Sequence, residues 1–237
     1  MKNVILSVTI SLFIITGNNN CVAQNKSKAP VKEFTKSLMQ ESCSFTTTGR
    51  NTYFILEPGY QLVLEGIEKN DTTLLVITVL NETKKMGGVE TRIVEENESV
   101  NGKTVEISRN FFALCKQTSS IFYFGEEVDI YKDGKIISHD GAWIVEGNNK
   151  AGIGLPGIFL LGSRYYQEVA PGIAMDRAEI ISINETLETP AGKYTTVLKI
   201  AETTPLEPKD ISYKLYAPGI GLIRDGDLLL KKYGFIK

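Results

Sequence analysis

Short runs in which apolar and polar residues alternate fill the chain from residue 53 onward, and turn sequences separate them. Val89–Glu95 is one such run. Asn101-Gly102 between two runs is typical of a two-residue hairpin, because both central residues of a type I′ turn need a positive φ. Asp133-Gly134 and Asp225-Gly226 repeat the signal. The pattern predicts an all-β fold built from an antiparallel curved sheet, either a half-barrel or a sandwich, and argues against βαβ units.

The segment before these strands follows a different period. Val31, Phe34 and Leu38 recur at helical spacing, which predicts one short helix over residues 31–40. The chain therefore divides into a signal peptide over 1–23, an N-terminal segment with a short helix over 24–52, and a β domain over 53–237. Within that domain, residues 151–162 have four glycines and no charge, and we expect an apolar loop there.

The first residues are typical of an export signal. Lys2 precedes an uncharged apolar run over residues 4–16, which is short for a membrane span. Small residues then favour cleavage before Gln24, so we expect an exported protein of the periplasm or the extracellular space. The alternative is an outer-membrane lipoprotein attached through a lipidated Cys21. Asn18 and Asn20 fit the lipidation pattern poorly and favour cleavage.

Cys43 and Cys115 remain after cleavage, and two interpretations of them stay open. In an oxidising compartment they could form a disulfide that ties the N-terminal segment to a central strand. They could also be two separate buried thiols, because free cysteine behaves as a small apolar residue. The sequence favours the thiols.

The charge pattern argues against nucleic acid as a partner. The 26 Lys and Arg residues are interspersed with 28 Asp and Glu residues, whereas binding to phosphates needs clustered cations. His139 is the one histidine, so neither a histidine-based catalytic site nor a histidine-rich zinc site is expected. No catalytic residue, metal site or cofactor is predicted. Asp225-Gly226-Asp227 could bind calcium, but a hairpin turn is the favoured interpretation.

Paired carboxylates are the remaining route to catalysis, as in glycoside hydrolases. Acidic residues on strands usually lie on the solvated face, so catalysis is the less favoured interpretation. The candidates are Glu126, Glu127, Asp129, Glu168 and Asp176.

Aromatic residues concentrate on the central strands. They could line a concave sheet face that binds an apolar group, or they could fill the core of the domain, and the second interpretation is favoured. The candidate ligand-binding residues, which include two of the acids, are Phe122, Phe124, Trp143, Tyr165, Tyr166, Glu126 and Glu168.

Four motifs follow one another in a fixed order along the β domain. They are Tyr123-Phe124-Gly125-Glu126, Gly141-Ala142-Trp143, Tyr165-Tyr166-Gln167-Glu168 and Tyr216-Ala217-Pro218-Gly219-Ile220-Gly221. Together they resemble an uncharacterised family of secreted bacterial proteins. The resemblance implies export and no particular activity. This chain has Phe122, Tyr166 and Met175 where that family tends to have tryptophan, arginine and an acid. The turn at Pro190-Ala191-Gly192 is similar to hairpins of the curved sheets of lipoprotein carriers, a likeness of fold alone.

These observations predict a secreted or envelope-associated binding protein without catalytic activity. Its partner would be an apolar ligand or another envelope protein. A carboxylate-based hydrolase and a purely structural surface protein are the alternatives. Membrane attachment is expected only through a lipidated Cys21.

Overall fold

A computed structural model of the chain describes residues 33–236, which are all-β apart from one short 3-10 helix, Gln40–Ser42. The predicted signal peptide over 1–23, Cys21 and the start of the predicted helix lie outside the described residues. None of the helical structure within 33–236 is long and apolar enough to cross a membrane.

The strands are numbered in chain order within residues 33–236. They are β1 Phe45–Thr46, β2 Gly49–Asn51, β3 Phe54–Leu56, β4 Tyr60–Glu68, β5 Asp71–Met86, β6 Val89–Val100, β7 Lys103–Cys115, β8 Ile121–Lys132, β9 Lys135–Ser138, β10 Trp143–Ile144, β11 Lys150–Leu155, β12 Arg164–Tyr166, β13 Glu168–Val169, β14 Arg177–Thr189, β15 Gly192–Thr203, β16 Ile211–Ala217, β17 Gly221–Asp225 and β18 Leu228–Phe235.

One large antiparallel sheet contains all of these strands except β2 and β3, and it curves into a nearly closed, barrel-like form. Its order is β12-β14-β15-β16-β17-β18-β4-β5-β6-β7-β8-β11-β13. The two outermost strands, β12 and β13, are separated along the chain by Gln167 alone. The first pairs with β14 and the second with β11, so a single short stretch of chain joins the two ends of the sheet. Register shifts within the longest strand pairs allow the curvature.

The predicted fold class is confirmed as all-β and antiparallel. Asn101 and Gly102 have φ values of 50° and 74°, as their hairpin requires. Asp133 and Gly134, at 52° and 74°, form the second predicted hairpin. The third turn is shifted by one residue, because Asp225 still pairs with Leu228 and the turn comprises Gly226 and Asp227.

The prediction of a loop over 151–162 is wrong in its first half, where β11 pairs with both β8 and β13. The glycines permit close packing here. Residues 164–169, which join the two ends of the sheet, are called the closing segment. A Cβ atom at Gly152 would lie 2.0 Å from the backbone oxygen of Gln167 in this segment, so only glycine lets β11 reach it. The remainder is irregular and exposes Ile158, Leu160 and Leu161.

The predicted N-terminal helix is also wrong over the residues that the structure describes. Thr35 is extended and donates its amide to the carbonyl of Arg164 at 2.9 Å, next to the edge of β12. Phe34 packs edge-on against Tyr166 and under the Arg177 guanidinium. A ten-residue helix is marginal by itself, and here the open edge of a strand offers the backbone a partner.

The N-terminal segment covers part of the outer face of the sheet. Phe45 on β1 contacts the rings of Phe122 and Phe124 edge-on, with centroids 5.3 Å and 5.4 Å away. Cys43 and Cys115 form a disulfide beside them, with a Cα–Cα distance of 5.2 Å. The favoured interpretation as two separate thiols is therefore wrong. The disulfide fixes this cover to the end of β7.

The hairpin of β2 and β3 spans one end of the sheet. The Asn51 amide donates to the carbonyls of Ser119 and Pro156 at 2.9 Å and 2.8 Å. On the other side, Gly219 donates its amide to the carbonyl of Thr52. Because β7 and β16 run in the same direction, the turns that follow them lie at the same end of the sheet. The hairpin therefore closes that end.

We expect the disulfide to contribute substantially to stability. It joins residues 72 apart in sequence, and a loop of that length corresponds to about 4 kcal/mol in the chain-entropy account. Replacing both Cys43 and Cys115 with alanine should lower the urea midpoint of unfolding. Adding reductant should lower the wild-type midpoint by a similar amount and leave the double variant unchanged. A wild-type midpoint that is insensitive to reductant would contradict the assignment.

Candidate ligand-binding site

The curved sheet forms a partly open cavity of about 320 Å³. This volume is at the lower end of the range of small-molecule sites in proteins. Strands from opposite parts of the curved sheet form its walls with their inner faces, and Phe54 and Ile55 of the β2–β3 hairpin line it at one end.

The lining of the cavity has an apolar part and an acidic part. The apolar part comes from β3, β4, β5 and β17 and their neighbours, and includes Phe54, Leu62, Ile77, Val79 and Leu222. The acidic part comes from β6, β7, β8, the closing segment and the strands that follow it. Its seven carboxyl groups are those of Glu96, Glu106, Glu126, Glu168, Asp176, Glu202 and Asp225.

A bulge in β8 turns Glu126 into the cavity. The pairing of β8 with β7 shifts register between Asn110 and Phe112, so Tyr123 and Glu126 both face inward although three positions separate them. Gly125 between them has φ 130°, and a Cβ atom there would lie 2.4 Å from the Trp143 carbonyl oxygen. The Tyr123 hydroxyl donates to Asn110 Oδ1 at 2.5 Å.

Glu168 enters the cavity from the segment that closes the sheet. Its carboxyl accepts a hydrogen bond from Trp143 Nε1 at 3.4 Å, and its backbone amide donates to the Asp176 carbonyl at 3.1 Å. The ring of Trp143 packs edge-on against Tyr123, with centroids 5.4 Å apart. The carboxyls of Glu126 and Glu168 are close enough for each charge to influence the other.

One cation faces the acidic part of the cavity. Lys214 Nζ lies 3.0 Å from Glu202 Oε2 and 3.7 Å from Asp225 Oδ2. Glu202 also accepts a hydrogen bond from Gln167 Nε2 at 2.8 Å. The proximity of Glu202 raises the pKa of Lys214, so the lysine stays charged. Lys214 therefore contacts two of the seven carboxyls and supplies one positive charge against them.

Glu96 and Glu106 have no such partner. They occupy β6 and β7, where Glu96 is opposite Ser108 and Glu106 is opposite Glu98, so the two are diagonal neighbours on the inner face. Neither carboxyl makes a hydrogen bond or a short ion pair with any of the residues 33–236. Both line the cavity. Unpaired carboxyls inside a protein are costly, because burial removes their hydration.

Burial raises the pKa of Glu96 to about 7, and nearby Lys214 offsets this only in part. Burial likewise raises the pKa of Glu126 to about 7, although the neighbouring Tyr123 hydroxyl opposes the change. For Glu168, burial and then the charge of Glu126 raise the pKa to about 8. The pKa values of Glu106, Asp176 and Asp225 are also raised, in each case mainly by burial.

The residues that the sequence suggested for ligand binding fall into two groups, one at or near the cavity and one elsewhere in the structure. Glu126 and Glu168 line the cavity, and Trp143 contacts it through Glu168. Tyr165 is buried nearby, and its hydroxyl has no hydrogen-bond partner within the described part of the chain. Three aromatic residues lie elsewhere: Phe122 and Phe124 belong to the cluster on the outer face, and Tyr166 packs against Phe34.

The other candidate acids divide in the same way. Asp176 lines the cavity beside Glu202 but is itself exposed to solvent. Glu127 points outward and pairs with Lys84, and Asp129 contacts Arg109 and His139 on the outer surface. A catalytic site that combines His139 with the cavity carboxyls is therefore not formed.

Sequence reasoning missed much of the acidic wall. Glu96 is an even number of positions from the buried Val94 on the same strand, and the same holds for Glu106 with Phe112 and for Lys214 with Tyr216. This even spacing was the available signal that the charged residues face inward. A polar residue in phase with buried apolar residues of its strand faces the same side of the sheet. The missed residues are Glu96, Glu106, Glu202, Lys214 and Asp225.

Within residues 33–236, no group of three or more His, Cys, Asp or Glu side chains is placed to hold a metal ion. The chain also matches no family profile, no curated protein and no solved structure. Even so, the motifs noted in the sequence converge on the cavity from separate strands. Tyr123, Glu126, Glu168 and Tyr216 line it, and Trp143 donates to Glu168.

The raised carboxyl pKa values imply that the protein loses stability as the pH rises. The folded state keeps protons that the unfolded chain releases above about pH 4.5, so the free energy of unfolding should fall between pH 5 and pH 8. Glu168→Gln should make the decrease in the free energy of unfolding smaller by on the order of 1–3 kcal/mol. Each kcal/mol corresponds to about 2–4 °C in Tm for a chain of this size.

Thermal unfolding at pH 5, 6, 7 and 8 measures this effect. Glu127→Gln is the matched control, because Glu127 lies on the outer face, and it should leave the fall unchanged. A wild-type Tm that is constant or higher at pH 8 would contradict the assignment of these carboxyls to the interior.

Proposed function

We propose that the chain is an exported binding protein that holds a small organic ligand inside its sheet and has no catalytic activity. The observation behind this proposal is the cavity within the curved sheet, whose lining is apolar on one part and acidic on the other. An apolar wall with a few converging polar groups is the usual composition of a small-molecule site. The export signal over residues 1–23 supports a location in the periplasm or outside the cell.

A purely structural role explains the acidic wall poorly. Charged groups inside a sheet cost stability, and well-packed apolar side chains of similar size would be neutral or better. Five carboxyls line this cavity without a cationic partner among residues 33–236. Residues with strongly perturbed pKa values concentrate at functional sites in general. Retaining such groups at a cost to folding is expected where they contact a ligand.

The ligand should be partly apolar. Phe54, Leu62, Ile77, Val79 and Leu222 form a surface that water solvates poorly, and an apolar group placed there would gain about 25 cal/mol for each Å² removed from water. Acidic side chains form the rest of the lining, so the ligand should also have a polar part. We therefore expect an amphipathic ligand and not a purely apolar one.

A carboxylate-based hydrolase is the second candidate, and one observation favours it: Glu126 and Glu168 share a cavity. Such enzymes require one carboxyl that is protonated and another that is ionised at the working pH. Here burial raises both pKa values, to about 7 and about 8, and neither group has a cation beside it. The two carboxyls therefore have similar environments, and nothing makes one of them the protonated acid and the other the ionised group.

Assays on chromogenic glycosides and esters distinguish the two functions. We expect the purified protein to show no turnover above buffer between pH 5 and pH 8. Turnover that Glu126→Gln and Glu168→Gln both abolish, and that Glu127→Gln leaves intact, would establish the hydrolase instead.

Filling the cavity should prevent ligand binding. Ser108 lines the cavity on β7, and Ser108→Leu would place a larger apolar side chain there, whereas Ile107→Leu changes the opposite face of the same strand. We expect native mass spectrometry of wild type to detect a non-covalent small molecule that is released on denaturation. The bound fraction should fall at least tenfold in Ser108→Leu and stay constant in Ile107→Leu. Equal occupancy in all three proteins would place the ligand elsewhere.

A further inference from the structure

We propose that the ligand of this cavity is an organic cation, an apolar group bearing a protonated amine. The inference rests on the proposed binding function and names the chemical class of the ligand. It depends on three features of the cavity: an excess of carboxyls, two carboxyls without partners, and aromatic rings beside them.

The charge of the lining is strongly one-sided. Seven carboxyls face one lysine, and Lys214 is already committed to Glu202 and Asp225. The five that remain have no cation within ion-pair distance among the described residues. An anionic ligand placed here would oppose ionisation of these carboxyls and would find a cation only at Lys214, and a neutral ligand would leave the carboxyls without a charged partner among the described residues. A cation supplies the missing partner.

Glu96 and Glu106 mark where that cation would bind. Both are on the inner face, diagonal to each other across β6 and β7, and neither is hydrogen-bonded to the described protein. An ammonium has three donors and could bridge two such carboxyls. Charge-assisted hydrogen bonds of this kind are among the strongest that proteins form, and they gain strength where water is excluded.

The aromatic rings favour an organic cation with an apolar body. Tyr123 stacks on Phe112, with centroids 4.6 Å apart, and both line the cavity between the acidic and apolar parts. Aromatic faces attract cations, and they also pack well against apolar groups. A ligand with an amine at one end and a ring or short chain at the other would satisfy both parts of the lining.

Binding of a cation must be coupled to proton release. The titratable and charged groups that line the cavity are Glu96, Glu106, Glu126, Glu168, Asp176, Glu202, Asp225, Lys214, Tyr60, Tyr123 and Tyr216. Several of these carboxyls hold protons near neutral pH, and an ammonium favours their ionised form. An alkylammonium itself stays protonated, with a pKa of about 10. Affinity should therefore rise with pH, by at least about fivefold between pH 6 and pH 8.

Three probes that share one ring and differ in charge test the proposal: 1-naphthylmethylammonium, 1-naphthylmethanol and 1-naphthoate. Isothermal titration calorimetry of the full mature protein, in two buffers of different ionisation enthalpy, gives both the Kd and the number of protons released. We expect the ammonium to bind at least tenfold more tightly than the alcohol, with release of protons, and the carboxylate to bind more weakly than either.

Variants locate the effect in the cavity. Glu96→Gln and Glu126→Gln should each weaken binding of the ammonium at least fivefold and change binding of the alcohol less than twofold. Glu127→Gln, on the outer face of β8, should change neither. Circular dichroism checks that each variant is folded. Two variants of inward-facing carboxyls are used so that the second still tests the proposal if the first does not fold.

The outcomes separate the two proposals. Tighter or equal binding of the alcohol or the carboxylate would overturn the cationic ligand and leave the binding function standing. If no probe binds but the purified protein releases a small molecule on denaturation, the charge of that molecule decides, and an anion or a neutral compound overturns the inference. If no probe binds and nothing is released, the binding function fails, and the inference fails with it.

Discussion

The enclosure of carboxyl groups by a curved antiparallel sheet is the constraint on which the rest of this structure depends. Side chains alternate between the two faces of a strand, so curvature sends every second residue of each strand into a shared interior. In this chain the residues that line this interior include six acids and one lysine on strands, together with Asp176 from the loop before β14. Lys214 contacts two of the acids. Burial raises the pKa values of the other five, and protonation lowers the cost of leaving them without a cationic partner among residues 33–236.

Closure of the sheet depends on a short, precisely packed segment. Residues 164–169 pair with β14 at one end and with β11 at the other, and Gly152 lets the two backbones meet. The same segment contributes Gln167 and Glu168 to the cavity, so the stretch that closes the sheet also forms part of the candidate site. On the outer face, the disulfide between Cys43 and Cys115 fixes the N-terminal cover, whose Phe45 buries Phe122 and Phe124.

The sequence predicted the sheet and its hairpins well, because alternation and turn chemistry are local properties. It predicted the interior less well. Phe122 and Phe124 are aromatic and buried, yet they face outward, whereas Tyr123 between them faces the cavity. Only the bulge at Gly125 brings Glu126 to the same side, and a bulge leaves no periodic signal. The disulfide depends on a long-range approach of two segments, which sequence spacing cannot show.

The central claim is that the interior carboxyls are enclosed and protonated near neutral pH. Titration of the Glu and Asp side-chain carboxyl ¹³C shifts by NMR tests it directly, with Glu126→Gln and Glu168→Gln used to assign the signals. The account predicts titration midpoints near 7 for Glu126 and near 8 for Glu168. Midpoints near 4.5 for both residues would show that these groups are solvated and would contradict the account.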